Sequence, residues 1–230
     1  MSLSPNNAAR KLHAAFDANA SFPKTLSGAI ATDDAYAVQF ELLTLREANG
    51  ETLAGWKVGL TSIAMQRQQD VHEPCLGHLL VSGQRPAPAT FDFDTLHRPG
   101  FENELCLRVG KPLEGTDVSL ADAAHAVESI APALEIIERR SALSTDFPLA
   151  IAGNAQQHAY VTGAFTPFQG DLNLAGVEAV VSINGIEQEH ATGAEVLGTP
   201  LESIRWLAGK LAEFGRRLEA GTLVMSGSFT

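Results

Sequence analysis

The chain has 230 residues, 45% of them hydrophobic and 19% charged, and carries a formal net charge of -11. That length and apolar fraction suit a folded globular chain with one sizeable core, read as a single domain over 1–230. The negative balance, with no cluster of Lys and Arg, excludes a nucleic-acid binder; the absence of a long uninterrupted apolar run or a basic, apolar start over Met1–Asn19 argues against a membrane span or export signal.

In chain order, the first fifty residues are expected to be mainly helical. Residues 6–20 carry Ala8, Leu12, Ala15 and Phe16 at the spacing of one buried helical stripe. A second helix is predicted from an N-cap at Thr32-Asp33 through Tyr36, Val38, Phe40 and Leu43 to Gly50. Beyond Gly55 the pattern mixes strand and helix: LAGWKVGL and GHLLVSG read as strands, with a helix over SIAMQRQQ between them. FENELCLRV alternates with period two and reads as a strand, DVSLADAAHAVESI as a helix, and APALEIIE as a buried strand. Asn184-Gly185 between apolar flanks predicts a tight hairpin. Thr199-Pro200-Leu201-Glu202 reads as a capping box opening a helix that stops at Gly215, and TLVMS as a final strand. PAPAT and residues 162–176 read as surface loops. The fold class predicted is α+β.

The chemistry-bearing residues are acids set in strands. Glu102 and Glu104 lie two apart, so on a strand they share one face with Cα atoms roughly 6.7 Å apart, close enough to converge on one ion. The same spacing also fits a strand face turned to solvent. Glu135, set inside PALEII, is costly to bury without a cation, a metal or several donors, and is the natural third ligand. Carboxylate oxygens favour a hard cation: magnesium, with manganese or calcium able to occupy the same site. Cys75 and Cys106 form no C-x-x-C pair, which excludes a zinc knuckle and a thioredoxin-like motif and suits a reducing cytoplasm. No G-x-S-x-G elbow, Walker loop or G-x-G-x-x-G fingerprint is present, so serine hydrolase, nucleotide-binding and dehydrogenase readings lack their working parts. His72 and His78, as histidines flanking the VHEPCLG loop, are outside candidates for acid–base work.

In order, GWKVGLTS, FENEL, PALEIIERR, and VLGTPLESIRWLAGKLAEFG running into MSGS resemble the hydratase/decarboxylase branch of the fumarylacetoacetate hydrolase superfamily, from about Asp34 onward. The resemblance implies a mixed β-sheet roll or barrel core behind the helical 1–50 segment. It implies a divalent metal held by Glu102, Glu104 and Glu135, with Lys57 beside the substrate as charge clamp or proton carrier. Thr61, Asn154 and Ser226 are the implied substrate contacts. The implied substrate is a small 2-oxo or 2-hydroxy acid, and relatives of this kind are commonly homo-oligomers. The implied activity is hydration of a 2-hydroxy-2,4-dienoate to a 4-hydroxy-2-oxo acid in aromatic-compound catabolism. A 4-oxalocrotonate-type decarboxylase, an acylpyruvate hydrolase and a catalytically silent ligand-binding paralogue stay open as alternatives.

Three departures from the family pattern bear on this. Gly153-Asn154 stands where the family has Asp-Asn. Cys75 stands where related hydratases often place an acid linked to proton transfer; as a free cysteine it equally suits a small buried hydrophobe. The chain stops at SGSFT where relatives continue with a further strand pair, so Ser226–Thr230 are expected to be weakly supported.

Overall fold

The computed structural model describes residues 3–141 and 146–230. Helix α1 (Pro5–Asp17) opens with proline in its first turn and buries Ala8, Ala9, Leu12 and Ala15 against α2 (Ala35–Ala48). The cap expected at Thr32-Asp33 is instead a 3-10 turn over Thr32–Asp34 that leads into α2 without a side-chain capping bond. Gln39, fully buried on α2, donates its amide to the carbonyls of Leu76 and Ile151, so the helical segment is bonded to the rest of the chain as well as packed on it.

The body is a mixed sheet. Strands β1 (Leu53–Gly59), β2 (Cys75–Leu80), β3 (Gln84–Pro86), β4 (Pro99–Val109), β5 (Val127–Glu138), β6 (Gln157–Thr162) and β10 (Leu223–Met225) run in the order β2-β1-β10-β4-β5-β6-β3; the short β7 (Thr166–Pro167) pairs with β5. The β1–β10 and β3–β6 pairs are parallel and the others antiparallel. Although β2 and β6 sit far apart in that order, they touch, so the sheet curls into a half-barrel.

Period-two alternation sorts the side chains between the two faces. Trp56, Val58, Leu105, Leu107, Val109 and Val224 join the main core beneath α4 (Leu120–Ala126) and α6 (Pro200–Ala212). The inner face of the curl holds a smaller cluster of Leu79, Cys106, Ala133, Tyr160 and Met225. The remaining helices, α3 (Ile63–Gln68) and α5 (Phe147–Ala152), are single short turns, α3 capped by the Ser62 hydroxyl and α5 by the Asp146 carboxylate. Strands β8 (Glu178–Ile183) and β9 (Ile186–Thr192) form a separate hairpin whose turn, Asn184-Gly185, has positive φ at both residues, as its sequence predicts.

Three further sequence expectations shift. The helix read over 117–130 ends at Ala126, because Val127–Ile130 join the β5 ladder, with Ile130 opposite Leu107. The working capping box is Ser119 with Asp122; Thr199 makes no capping bond, and Glu202 is engaged with Arg205 at 2.6 Å. The last residues are well supported rather than loose: the Ser226 and Phe229 amides donate to Leu105 and Asn103 of β4, and the Phe229 ring lies in the main core.

Candidate metal centre and active site

Glu102 and Glu104 leave β4 on its inner face. The β4–β5 register sets Glu135 directly opposite Glu102, and directly opposed residues of an antiparallel pair share a face. Opposite Glu104 stands Ala133, small enough to leave room above it. One carboxylate oxygen from each glutamate lies within 4.8 Å of the others. Two strands along, Cys106 is opposite Met225 of β10, and Met225 opposite Lys57 of β1, so Lys57 is delivered to the same inner face.

The acids are not on a solvated face. Glu104 is 5% exposed and Glu135 0%, while Glu102 is half-buried. Lys57, 4% exposed, places Nζ 3.3 Å from Glu135 Oε2. Burial opposes the Lys57 charge, but Glu135 and then Glu102 more than offset it, so its pKa is raised. Burial pushes the Glu135 carboxyl up to about 7, with Lys57 pulling it down and Glu102 pushing it up. Glu104 is driven well above its ordinary value, first by burial and then by Glu135 and Glu102; the Gly227 N–H, donating to Oε2 at 2.8 Å, works the other way.

Glu104 Oε1 and Glu135 Oε1 accept no hydrogen bond among the described residues. Two buried carboxylates with free oxygens, crowded by a third, are a costly arrangement that a bound cation relieves. Three hard oxygen donors on one side, with space on the other, fit magnesium, manganese or calcium.

A cavity of about 310 Å3 opens beside these groups, lined in part by Lys57, Thr61, Cys75 and Glu102. Larger clefts of about 480 and 620 Å3 lie elsewhere and hold none of the three carboxylates. Thr61 lines this cavity. Asn154 and Ser226 are placed differently. The Asn154 Nδ2 donates to the His78 carbonyl at 2.9 Å and its Oδ1 accepts from the His78 N–H at 2.6 Å, so its amide pins β2 across the curl. Ser226 is buried at the end of β10, its carbonyl accepting from Ser203 at 2.6 Å; its neighbours Ser228 and Phe229 line the cavity instead. His72 is exposed on another cleft, and His78 is fully buried with its pKa lowered by burial; neither lines this cavity. Cys75 does line it, as a thiol whose pKa burial pushes up to about 11.

Gln156, Glu195 and Met65 also line the cavity and were not anticipated. Gln156 arrives through three successive positive-φ residues, Asn154, Ala155 and Gln156, which no glycine pattern announces. Glu195 comes from the turn before α6, immediately ahead of the VLGTPLES block but outside it.

Residues 67–230 match the family described as fumarylacetoacetate (FAA) hydrolase C-terminal. The chain is 36% identical over 208 residues to the 2-oxo-hept-4-ene-1,7-dioate hydratase of Escherichia coli, covering 87% of this chain and 78% of that one. It is 35% identical over 199 residues to the 2-keto-4-pentenoate hydratase of Paraburkholderia xenovorans, covering 85% and 73%. Among solved structures it resembles the 4-oxalocrotonate decarboxylase of Pseudomonas putida G7 complexed with magnesium and adipate, with a TM-score of 0.92 and 31% identity over 98% of this chain and 87% of that one. With the family match covering most of the chain and the curled sheet superposing on that enzyme, the protein belongs to the fumarylacetoacetate hydrolase family.

Proposed function

We propose that the chain is a divalent-metal-dependent lyase that hydrates a 2-hydroxy-2,4-dienoate, or its 2-oxo-4-enoate tautomer, to a 4-hydroxy-2-oxo acid in the breakdown of aromatic compounds. The observation that carries this is the meeting of Glu102, Glu104 and Glu135 beside a buried Lys57 at the edge of a cavity. In this reading the three glutamates hold the cation, magnesium first and manganese or calcium as alternatives. When bound, the cation supplies the positive charge that draws in the 1-carboxylate and 2-oxygen of the substrate and favours the enolate form.

The chain's own groups do the rest. Glu135 holds the Lys57 ammonium in place, and Lys57 offers its proton and charge to the substrate end that lies against β1. Thr61 presents a hydroxyl to the same space, and the Gly227 N–H fixes the rotamer of Glu104. Asn154 holds β2 through its two bonds to His78, and the Ser226 main chain holds the residue after β10. Leu60, Met65 and Phe229 restrict water around the reacting double bond.

Decarboxylation of a 4-oxalocrotonate-type acid is the second reading, favoured by the similarity to the decarboxylase structure and by a site whose charge arrangement serves loss of carbon dioxide equally well. The protein is further read as cytoplasmic; no helix among the described residues is long and apolar enough to cross a membrane. A homo-oligomer is proposed too, on the exposed Val180, Ile183 and Ile186 of the β8–β9 hairpin, and a monomer by light scattering at micromolar concentration would remove it.

The test of function is loss of the ultraviolet absorbance of 2-hydroxypenta-2,4-dienoate with magnesium, followed by product identification. A 4-hydroxy-2-oxo acid, formed by the wild type and not by Glu104→Gln or after chelation, is expected. Carbon dioxide release from 4-oxalocrotonate without dienoate hydration would replace the hydratase reading by the second one.

A further inference from the structure

The cavity also restricts what the far end of the substrate can be. The inference rests on the 2-oxo-acid reading of the site, in which the carboxylate and 2-oxygen end lies toward the glutamates and the tail fills the remaining space. At about 310 Å3 that space is at the small end for a ligand pocket, and Leu60, Met65, Ala155 and Phe229 give much of its lining an apolar character.

Charge decides the rest. Among the described residues, Lys57 is the cavity's one basic lining residue, and it is buried and committed to Glu135 at 3.3 Å. Residues 142–145 are Ala-Leu-Ser-Thr and bring no basic side chain. With a divalent cation bound, that cation and Lys57 together balance Glu102, Glu104 and Glu135, so the substrate's first carboxylate already makes the site net negative and a second anionic group would add to that charge. Glu195, exposed where the cavity meets solvent, adds a negative charge at the mouth. A second carboxylate on the substrate tail would lose part of its hydration, find no partner and face Glu195.

We infer that this site selects 2-oxo and 2-hydroxy acids carrying a single carboxylate and a short uncharged tail, and that Glu195 is a specificity residue that disfavours dicarboxylates. This sets the chain apart from the neighbouring decarboxylase, whose structure holds adipate, a dicarboxylate.

The experiment is calorimetric titration of the magnesium-loaded protein with two saturated, unreactive probes, 2-oxopentanoate and 2-oxoadipate. The monocarboxylate is expected to bind about tenfold tighter or more, with the margin shrinking as salt screens the exposed Glu195. Glu195→Gln should narrow the margin, and Glu195→Lys should erase or invert it while 2-oxopentanoate still binds. Equal or tighter binding of 2-oxoadipate by the wild type overturns the inference, as does a ratio left untouched by Glu195→Lys. Failure of both probes to bind overturns it together with the 2-oxo-acid reading. The expected order of binding without any dienoate turnover upholds the selectivity and removes the hydratase reading alone.

Discussion

Lys57 and Glu135 depend on each other in the absence of a cation. The ammonium is buried because an anionic partner stands 3.3 Å away, and the fully buried carboxylate has no closer positive charge among the described residues. Removing one member of such a pair leaves the other charge uncompensated, at a cost of about 3–5 kcal/mol. Lys57→Met is therefore expected to lower the melting temperature of the metal-free protein by several degrees. Magnesium should then raise it more than in the wild type, because the ion supplies the missing positive charge. Turnover should fall by about a hundredfold or more if Lys57 handles a proton or clamps the substrate. Thermal scans with and without magnesium, beside steady-state rates, read all three effects. An unchanged metal-free melting temperature would show that the ion pair does not hold the site together.

Among the elements, β4 and β5 make the site and the turn after β10 completes it. The register of the long β4–β5 ladder sets Glu135 against Glu102; a slip of one residue would send Glu135 to the opposite face and dissolve the cluster. Gly227 has φ of 111°, a backbone state that residues with a side chain rarely adopt, and a Cβ there would run into the Thr61 side chain. Its amide is also the donor that orients Glu104. Gly227→Ala is thus expected to weaken magnesium binding by about tenfold or more, the loss of one charge-assisted hydrogen bond of roughly 1.5–3 kcal/mol. Calorimetry with the metal alone measures it, and wild-type affinity in this variant would contradict the role given to the turn. The strand alternation of FENEL and the apolar setting of Glu135 were legible in the sequence. The register between the two strands was not, since it depends on hydrogen bonds between residues about thirty apart.

Over the whole molecule, the N-terminal helical segment is tied to the sheet through one buried charge cluster. Arg140 donates to Glu138 through Nε at 2.8 Å, to the Ala20 carbonyl and to Asn19 Oδ1, while His158 Nδ1 lies 3.2 Å from Glu138. Burial alone would raise the Glu138 pKa, but His158, the His97 N–H and Arg140 outweigh it and hold the carboxyl down to about 2. A depressed folded-state pKa contributes stability that is present above the ordinary carboxylate value and is lost as pH falls from about 4.5 toward 2. The contribution is up to about 3 kcal/mol at neutral pH. Glu138→Gln should destabilise the protein at pH 7 and flatten the acid limb of its stability curve between pH 5 and 2, as denaturant titrations across that range would show. An acid limb identical to the wild type would move the acid sensitivity elsewhere.

Local chemistry, which needs no partner from far along the chain, could be read directly. The helical start, the alternation that puts Glu102 and Glu104 on one strand face, the Asn184-Gly185 turn and the ordered blocks carrying the family resemblance are all of this kind. Packing and pairing had to be seen in three dimensions. The helix pattern at 127–130 lost to the β5 ladder because pairing satisfied those backbone groups and buried Ile130. The last residues gained support because β4 offered hydrogen bonds and the main core took in Phe229. Asn154 makes two bonds to β2, and Glu195 lines the cavity, because folding brings together segments that lie far apart along the chain. Residue type and periodicity act over a few positions, whereas the site's charge balance is set by which strands and turns meet after folding.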